Sequence, residues 1–322
     1  MNLSEEATKK VVIELSGKGN SYAKIGEALG IPKSTVGDFL SRNTYTDWWD
    51  SYDGGVGTAS GAKVLLHDIE TAATKAYVWS RFKQNIGQSQ VIREGYVLTW
   101  SAQWLGEEEI LWDALDQYED YDPSDVEEND QKVVESLWKL YDEADIVVAH
   151  NAPFDTKVMN ARFAYWGLNP PSPYKIVDTL KIAKSRFRFP SNRLDSLGEY
   201  LGFGRKADTG GFELWAKCMA GDAEALKKMV KYNIQDIHLL REVYLRLRHW
   251  DTKAPNVSHY YTDTKERCVV CGCPELIVLD SKAYTGLSAF EVLECTSCGH
   301  HNRRRTNLRT KEEMENTLMN VS

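Results

Sequence analysis

The chain has 322 residues, is 42% hydrophobic and carries a formal net charge of -8, a length that suits two to three units of ordinary domain size with a full apolar core in the largest. It has no run of about 20 apolar residues and its first ten residues, MNLSEEATKK, lack the apolar core of a signal peptide, which excludes a membrane span and a secretory leader and points to a soluble cytoplasmic protein. The negative charge is local: residues 106–130 hold twelve Asp or Glu and no Lys or Arg, so the remainder of the chain is mildly basic, at +4.

In chain order, the first expected unit spans 1–50. Within it SYAKIGEALGIPKSTVGDFLSR places Ile25, Leu29, Ile31, Val36 and Phe39 at core positions of two short helices around a Gly-Ile-Pro turn, the pattern of a helix-turn-helix. Gly30 permits the sharp turn, and Lys33, Ser34, Thr35 and Arg42 are the exposed candidates for DNA contact. Such trihelical units also serve as protein-contact modules, and Asp38 on the second helix works against DNA.

The main unit is expected over 60–250. KVLLHDI is a short apolar run of the buried-strand type, and Asp68 and Glu70, two positions apart, share one strand face. YVWSRFKQNIG and VLTWSAQWLG read as the second and third strands. The acidic stretch 106–130 reads as a solvated, partly disordered connection. A sharper alternative has it shield the site or bind a basic partner. A helix follows over 131–143, then a strand ADIVVA ending at His150 and Asn151, then a helix with Asp155 in its first turn. Lys184, Arg186, Arg188 and Arg193 are spaced through a later loop, suited to phosphate contact or equally to a solvated basic face. Residues 223–246 are strongly helical, and a four-residue spacing puts Tyr232 and Asp236 on one face.

The polar segment 252–264 reads as a linker. Beyond it, over 265–312, Cys268-x-x-Cys271 and Cys295-x-x-Cys298 bracket 23 residues, each pair followed by a glycine. Two such knuckles around strand-like ELIVLD and SAFEVLEC match one structural Zn²⁺ in a zinc ribbon. Cys273 and His300 are substitute ligands, and Cys218 reads as a buried thiol. Arg303, Arg304 and Arg305 open a basic tail suited to nucleic-acid backbone.

Four acids meeting in one pocket would repel each other and resist burial, so the cluster Asp68, Glu70, Asp155 and Asp236 implies bound cations. Hard oxygen ligands suit two Mg²⁺ or Mn²⁺ ions, which promote in-line displacement at phosphorus, with Tyr232 positioning the attacking water.

Together these motifs resemble the DEDD superfamily of 3′-to-5′ exonucleases, in its tyrosine-bearing, DnaQ-like branch with a ribonuclease H-like fold, and the stretch 62–248 is most similar to a phage and bacterial group. Asp68 and Glu70 match that family's first motif, with Thr71 also fitting; Asn151 and Asp155 match the second, and Tyr232 and Asp236 the third. Ala72 departs from the commonest form, where a glycine follows the threonine, and this bears on the contact to the terminal nucleotide. The resemblance implies an α/β fold with a mixed sheet flanked by helices. It also implies that Asp68 bridges both metals, that Glu70 and Asp236 complete one and that Asp155 holds the other through water. Thr71 and Asn151 would contact the strand. The expected activity is release of nucleoside monophosphates from a DNA 3′ end, as a partner of replication or recombination proteins in a bacterial or phage-infected cell. Two readings compete: an exoribonuclease with the same metal site, and a non-catalytic DNA-binding regulator on a nuclease-like scaffold.

Overall fold

The computed structural model describes residues 22–32, 61–122, 130–204 and 210–321, with Val11 and Thr35 as isolated positions. Lys33, Ser34, Arg42 and most of the expected 1–50 unit lie outside these residues. Inside them, helix α1 (Tyr22–Leu29) buries Ile25. It ends where Gly30 takes φ +66°, with Ile31 N–H on Gly26 C=O at 3.0 Å and Gly30 N–H on Glu27 C=O at 3.4 Å. This double bond is the helix-ending motif that needs a left-handed residue, which glycine adopts without a Cβ penalty.

A five-stranded sheet forms the centre. β1 (Val64–Thr71) and β4 (Val97–Trp104) are its long strands, β5 (Leu111–Ala114), β6 (Ile146–Ala149) and β7 (Lys175–Asp178) its short ones. Their order is β5-β4-β1-β6-β7. β5, β4 and β1 pair antiparallel, whereas β1, β6 and β7 pair parallel. Parallel neighbours need crossovers, and α2 (Gln131–Glu143) and α3 (Ala152–Tyr165) supply them. On the far side of β7 come α4 (Thr179–Arg186), α5 (Leu194–Tyr200) and α6 (Phe212–Met219), and then the 25-residue α7 (Ala223–Leu247), which crosses β4 and β1.

Alternation along β1 decides what each sheet face holds. Leu65 and Ile69 join one apolar cluster with Trp100, Leu137 and Met159. Val64 and Leu66 join another with Ile237, Leu240 and Val243 of α7. Asp68 and Glu70 continue the second row, toward α7.

Two expectations about the sheet are corrected. VLTWSAQW is the second strand of the sheet, not the third, and YVWSRFKQNIG is not a sheet strand. Only Lys75–Ala76 (β2) pairs there, with Val91–Arg93 (β3), in a separate two-stranded ribbon. The third strand is β5, from within the acidic stretch, and all four of its residues are buried. Net charge concealed it because two of the acids are structural. Asp113 accepts hydrogen bonds from Ser136 Oγ at 2.6 Å, Ala114 N–H at 2.8 Å and the Tyr118 hydroxyl. Asp130, fully buried, takes both arms of the Arg162 guanidinium, Trp166 Nε1 at 2.8 Å and Val97 N–H at 2.9 Å. Arg162→Met would leave that carboxylate buried without its cation. A loss of about 3–5 kcal/mol in urea unfolding is expected.

Burial pushes the Asp113 carboxyl up to about 7, against the hydrogen bonds that favour its charged form. Its stabilising contribution is therefore full below the ordinary carboxylate value near 3.8 and lost as pH rises toward 7. His67 has the opposite sign: burial lowers it to about 3, so its contribution is full above 6.5 and lost as pH falls. Between pH 4 and 6.5 these slopes oppose each other. Asp113→Asn should unmask the histidine slope, with stability rising by about 1.4 kcal/mol per pH unit across that window relative to wild type. Unfolding free energies measured in a pH series would show it.

Within 252–264 one residue is buried. Val257 starts a 3₁₀ turn and is buried in the cluster that holds Leu240, Val243 and Leu247, while its N–H donates to Val269 C=O at 2.9 Å. Past it, β8 (Leu276–Thr285), β9 (Ser288–Cys295) and β10 (His301–Arg303) form an antiparallel sheet of order β10-β9-β8. It leans on the end of α7, where His300 Nδ1 lies 2.9 Å from the His249 carbonyl. A short helix α8 (Lys311–Glu315) closes the described chain.

Candidate active site

Because α7 runs antiparallel to β1 over the same apolar row, its Leu240 and Val243 cover Val64 and Leu66, and its earlier turn brings Asp236 over Asp68 and Glu70. One carboxylate oxygen from each of these three residues lies within 4.8 Å of the others. Asp236 is only 1% exposed. Three carboxylates so close, one of them desolvated, are mutually destabilising unless cations intervene. Their donor set, all hard oxygen, fits Mg²⁺ or Mn²⁺.

Asp155 is buried in the first turn of α3, near enough to Tyr141 for its charge to help raise that phenol, but it is not a member of the close trio. Asn151, at φ +69°, turns the chain from β6 into α3, and its N–H donates to Asp178 Oδ1 at 3.0 Å. His150 is fixed by Thr179 Oγ1 at 2.8 Å and the Asn192 carbonyl at 2.9 Å. Beside the trio opens a cleft of about 680 Å³ whose walls include His150, Asn151, Lys184, Asn192, Arg193 and Tyr232. Tyr232 stands edge-on to Trp215, with ring centroids 6.2 Å apart.

Of the residues expected from sequence, Asp68, Glu70 and Asp236 come together, and Asn151, Arg193 and Tyr232 meet in the adjoining cleft. Thr71 ends β1, half-buried, after a bulge in its pairing with β4. Arg186 and Arg188 are exposed outside the cleft wall. Thr35 is half-buried. Sequence reasoning missed Asn233, which is fully buried and donates from Nδ2 to Asp68 Oδ2 at 2.6 Å. The available signal was its place on α7 three residues before Asp236, on the same helix face. It also missed the buried His67, on the other face of β1, whose Nε2 meets the Tyr141 hydroxyl at 2.9 Å and whose burial keeps the imidazole neutral.

At the other end, the four sulfurs of Cys268, Cys271, Cys295 and Cys298 lie within 4.8 Å of one another. Cys268 and Cys298 are 3.6 Å apart, and Cys271 and Cys295 3.5 Å. These separations are far beyond a disulfide bond. They are close to the roughly 3.8 Å expected between ligands of a tetrahedral site with metal–sulfur bonds of about 2.3 Å. Each knuckle turns on a glycine. Gly272 has φ +75°, and a Cβ there would lie 2.4 Å from the Tyr261 hydroxyl. Cys273 is outside the group, with its sulfur 3.9 Å from the Glu275 carbonyl, and His300 is engaged with His249. Cys218 is buried, its thiol pushed up to about 12. Arg303 lies over the Phe290 ring at 4.2 Å, and Arg304 is held between Glu266 and Glu291. Arg305 is exposed.

The sheet order, three antiparallel strands continued by two parallel ones with helices on the faces, defines a ribonuclease H-like fold with a small β region after it. In agreement, the family model described as the RNase_H superfamily matches residues 98–248, from β4 to the residue after α7. Among solved structures the chain is similar to Trypanosoma brucei RNase D, at 12% identity and a TM-score of 0.36, covering 64% of this chain and 62% of that one. It thus spans less than two thirds of that protein's length. The T. brucei RNase D complex with RNA U12 matches at 12% identity and a TM-score of 0.31, over 80% of this chain and 89% of that one. The Mos1 strand transfer complex matches at 11% identity and a TM-score of 0.15, over 76% and 77%. No curated protein matches the chain. Among the described residues no helix is long and apolar enough to cross a membrane.

Proposed function

We propose that the protein is a metal-dependent 3′-to-5′ exonuclease acting on DNA. The observation that carries this is the convergence of Asp68, Glu70 and the buried Asp236, one turn along α7 from Tyr232, which lines the cleft. Asp68, Glu70 and Asp236, together with Asp155, would hold two Mg²⁺ or Mn²⁺ ions, which when bound supply positive charge for the attacking and leaving oxygens of a phosphodiester.

The chain's own groups supply the rest. Asn233 donates to Asp68 Oδ2 and so restrains the direction of that carboxylate. Tyr232 positions a water with its hydroxyl. Lys184 and Arg193 offer cations to the strand's phosphates along the cleft, and Asn151 and Thr71 contact the terminal nucleotide. The water oxygen adds to the last phosphorus, the bond from that phosphorus to the 3′ oxygen of the penultimate sugar breaks, and that oxygen takes a proton. A nucleoside 5′-monophosphate leaves, and the strand is one residue shorter.

The four cysteines would hold one structural Zn²⁺. The choice of DNA rests on the helix-turn-helix pattern of residues 21–42, whose Lys33, Ser34, Thr35 and Arg42 would meet the duplex. Arg303 and Arg305 would add backbone contacts, whereas Arg304 is committed to its two glutamates.

A DNA strand and an RNA strand of one sequence, each labelled at the 5′ end and incubated with Mg²⁺ or Mn²⁺, test the assignment. Stepwise shortening of the DNA is expected. Shortening of RNA alone would replace DNA by RNA as substrate, and tight binding with no cutting of either strand would make the protein a nucleic-acid-binding regulator.

A further inference from the structure

The connection from β1 to β4, residues 72–96, is far longer than the two residues that suffice to join antiparallel neighbours. At its root Ala72 N–H donates to Tyr96 C=O at 2.8 Å, and β2 pairs with β3. Beyond that ribbon, large side chains stand in solvent: Trp79 is 94% exposed, Phe82 81% and Tyr77 74%. The loop under them is ordered by its own hydrogen bonds. Gln90 bonds Tyr77 through both backbone and side chain, and Ser80 and Gln84 both donate to Phe82 C=O at 3.0 Å. The aromatics are therefore displayed on a defined turn.

Basic residues are interleaved with them. Lys75, Arg81 and Lys83 are exposed, and none forms an ion pair within the described residues. Arg93, at the base, lies over Tyr96. From Ala73 to Arg93 there is no Asp or Glu. Protein-docking patches are depleted of lysine at their centres. Alternating aromatics and unpaired cations instead suit a single strand of nucleic acid, whose bases stack on rings while its phosphates meet the charges. The loop leaves β1 directly after Thr71, on the strand that carries Asp68 and Glu70.

We propose that residues 75–93 form a stacking platform that grips single-stranded nucleic acid and holds the substrate strand next to the acidic trio and its adjoining cleft. The direction toward the cleft rests on the nuclease reading; the binding itself does not.

The test uses the full chain, without added Mg²⁺ or Mn²⁺, a fluorescent single-stranded 12-mer, and a matched strand of abasic sugars carrying the same phosphates. The combined Tyr77→Ala, Trp79→Ala and Phe82→Ala variant, changed only at exposed positions, should bind the base-bearing strand about tenfold or more weakly and the abasic strand as wild type does. Lys75→Gln, Arg81→Gln and Lys83→Gln together should make the salt dependence of binding shallower by about 2 in log–log slope, at roughly 0.7 for each phosphate no longer neutralised. With Mg²⁺ restored, both variants should hydrolyse a small chromogenic nucleotide ester at the wild-type rate.

Unchanged affinity of the aromatic variant for the base-bearing strand would overturn the proposal and leave the loop to a protein partner. Equal weakening on both strands would overturn it too, as would loss of ester hydrolysis, since either would signal general damage. If wild type hydrolysed nothing yet its base-dependent binding vanished in the aromatic variant, the nuclease reading would fall and the platform would stand.

Discussion

Combined Asp68→Ala and Glu70→Ala should lower the rate of strand shortening by at least about a thousandfold, equivalent to about 4 kcal/mol of transition-state stabilisation. Both side chains project from one face of β1 toward α7, and neither fills the apolar cores on which the sheet depends. Removing two of three crowded carboxylates also relieves repulsion around buried Asp236, which offsets the loss of the Asn233 hydrogen bond to Asp68, so the variant should unfold in urea close to wild type. Activity should therefore fall without a matching loss of stability. Asn233→Ala should follow the same path more mildly, by about a hundredfold, because it removes the hydrogen bond that orients Asp68 but no donor oxygen. Single-turnover rates with saturating enzyme would separate these effects from altered strand affinity.

The second large effect is expected at the cysteines. The C-terminal sheet buries little besides Val270, Ala289, Phe290 and Leu293 with two of its sulfurs, and most of β8 is exposed. A core that small cannot offset the chain entropy of ordering some forty residues. Metal binding at the proposed four-cysteine site would supply the difference, being worth about 10 kcal/mol or more in small Cys-ligated domains. Purified protein should accordingly carry one zinc per chain, and Cys295→Ser should abolish it. In hydrogen exchange, the amides of β8, β9 and β10 should then lose their protection, as should those around Val257, whose N–H is held by Val269. β1 and β6 should keep theirs, because their cover comes from α7 on one face and from α2 and α3 on the other. Full protection of β9 in a zinc-free protein would contradict this account.

The acidic trio was legible because two periodicities are hard to disguise. Asp68 and Glu70 follow an apolar run with strand spacing, and Tyr232 and Asp236 lie a helical turn apart on a segment with strong caps; Asp222 accepts from Ala225 N–H at its start. Asp155 does sit in the first turn of its helix, as its position in sequence suggests, but spacing along a helix says nothing of distance to another strand, and the trio closes without it. Two errors share one cause, which is that composition does not report environment. The acids around Leu111–Ala114 suggest solvent, although Asp113 and Asp130 are buried in hydrogen bonds, and the alternating aromatics of Tyr77 to Phe82 suggest a sheet, although they face water. Burial of a charged or aromatic residue depends on partners distant in sequence, such as Arg162 for Asp130.

The proposed divalent-cation site is that of Asp68, Glu70 and Asp236. It is tested most directly by titrating the zinc-loaded protein with Mn²⁺ and following free Mn²⁺ by electron paramagnetic resonance, in wild type and in the Asp68→Ala, Glu70→Ala variant. Two bound Mn²⁺ per wild-type chain, displaced by Mg²⁺ and missing from the variant, is the predicted result. Equal Mn²⁺ binding by both proteins, or none by wild type, would contradict it.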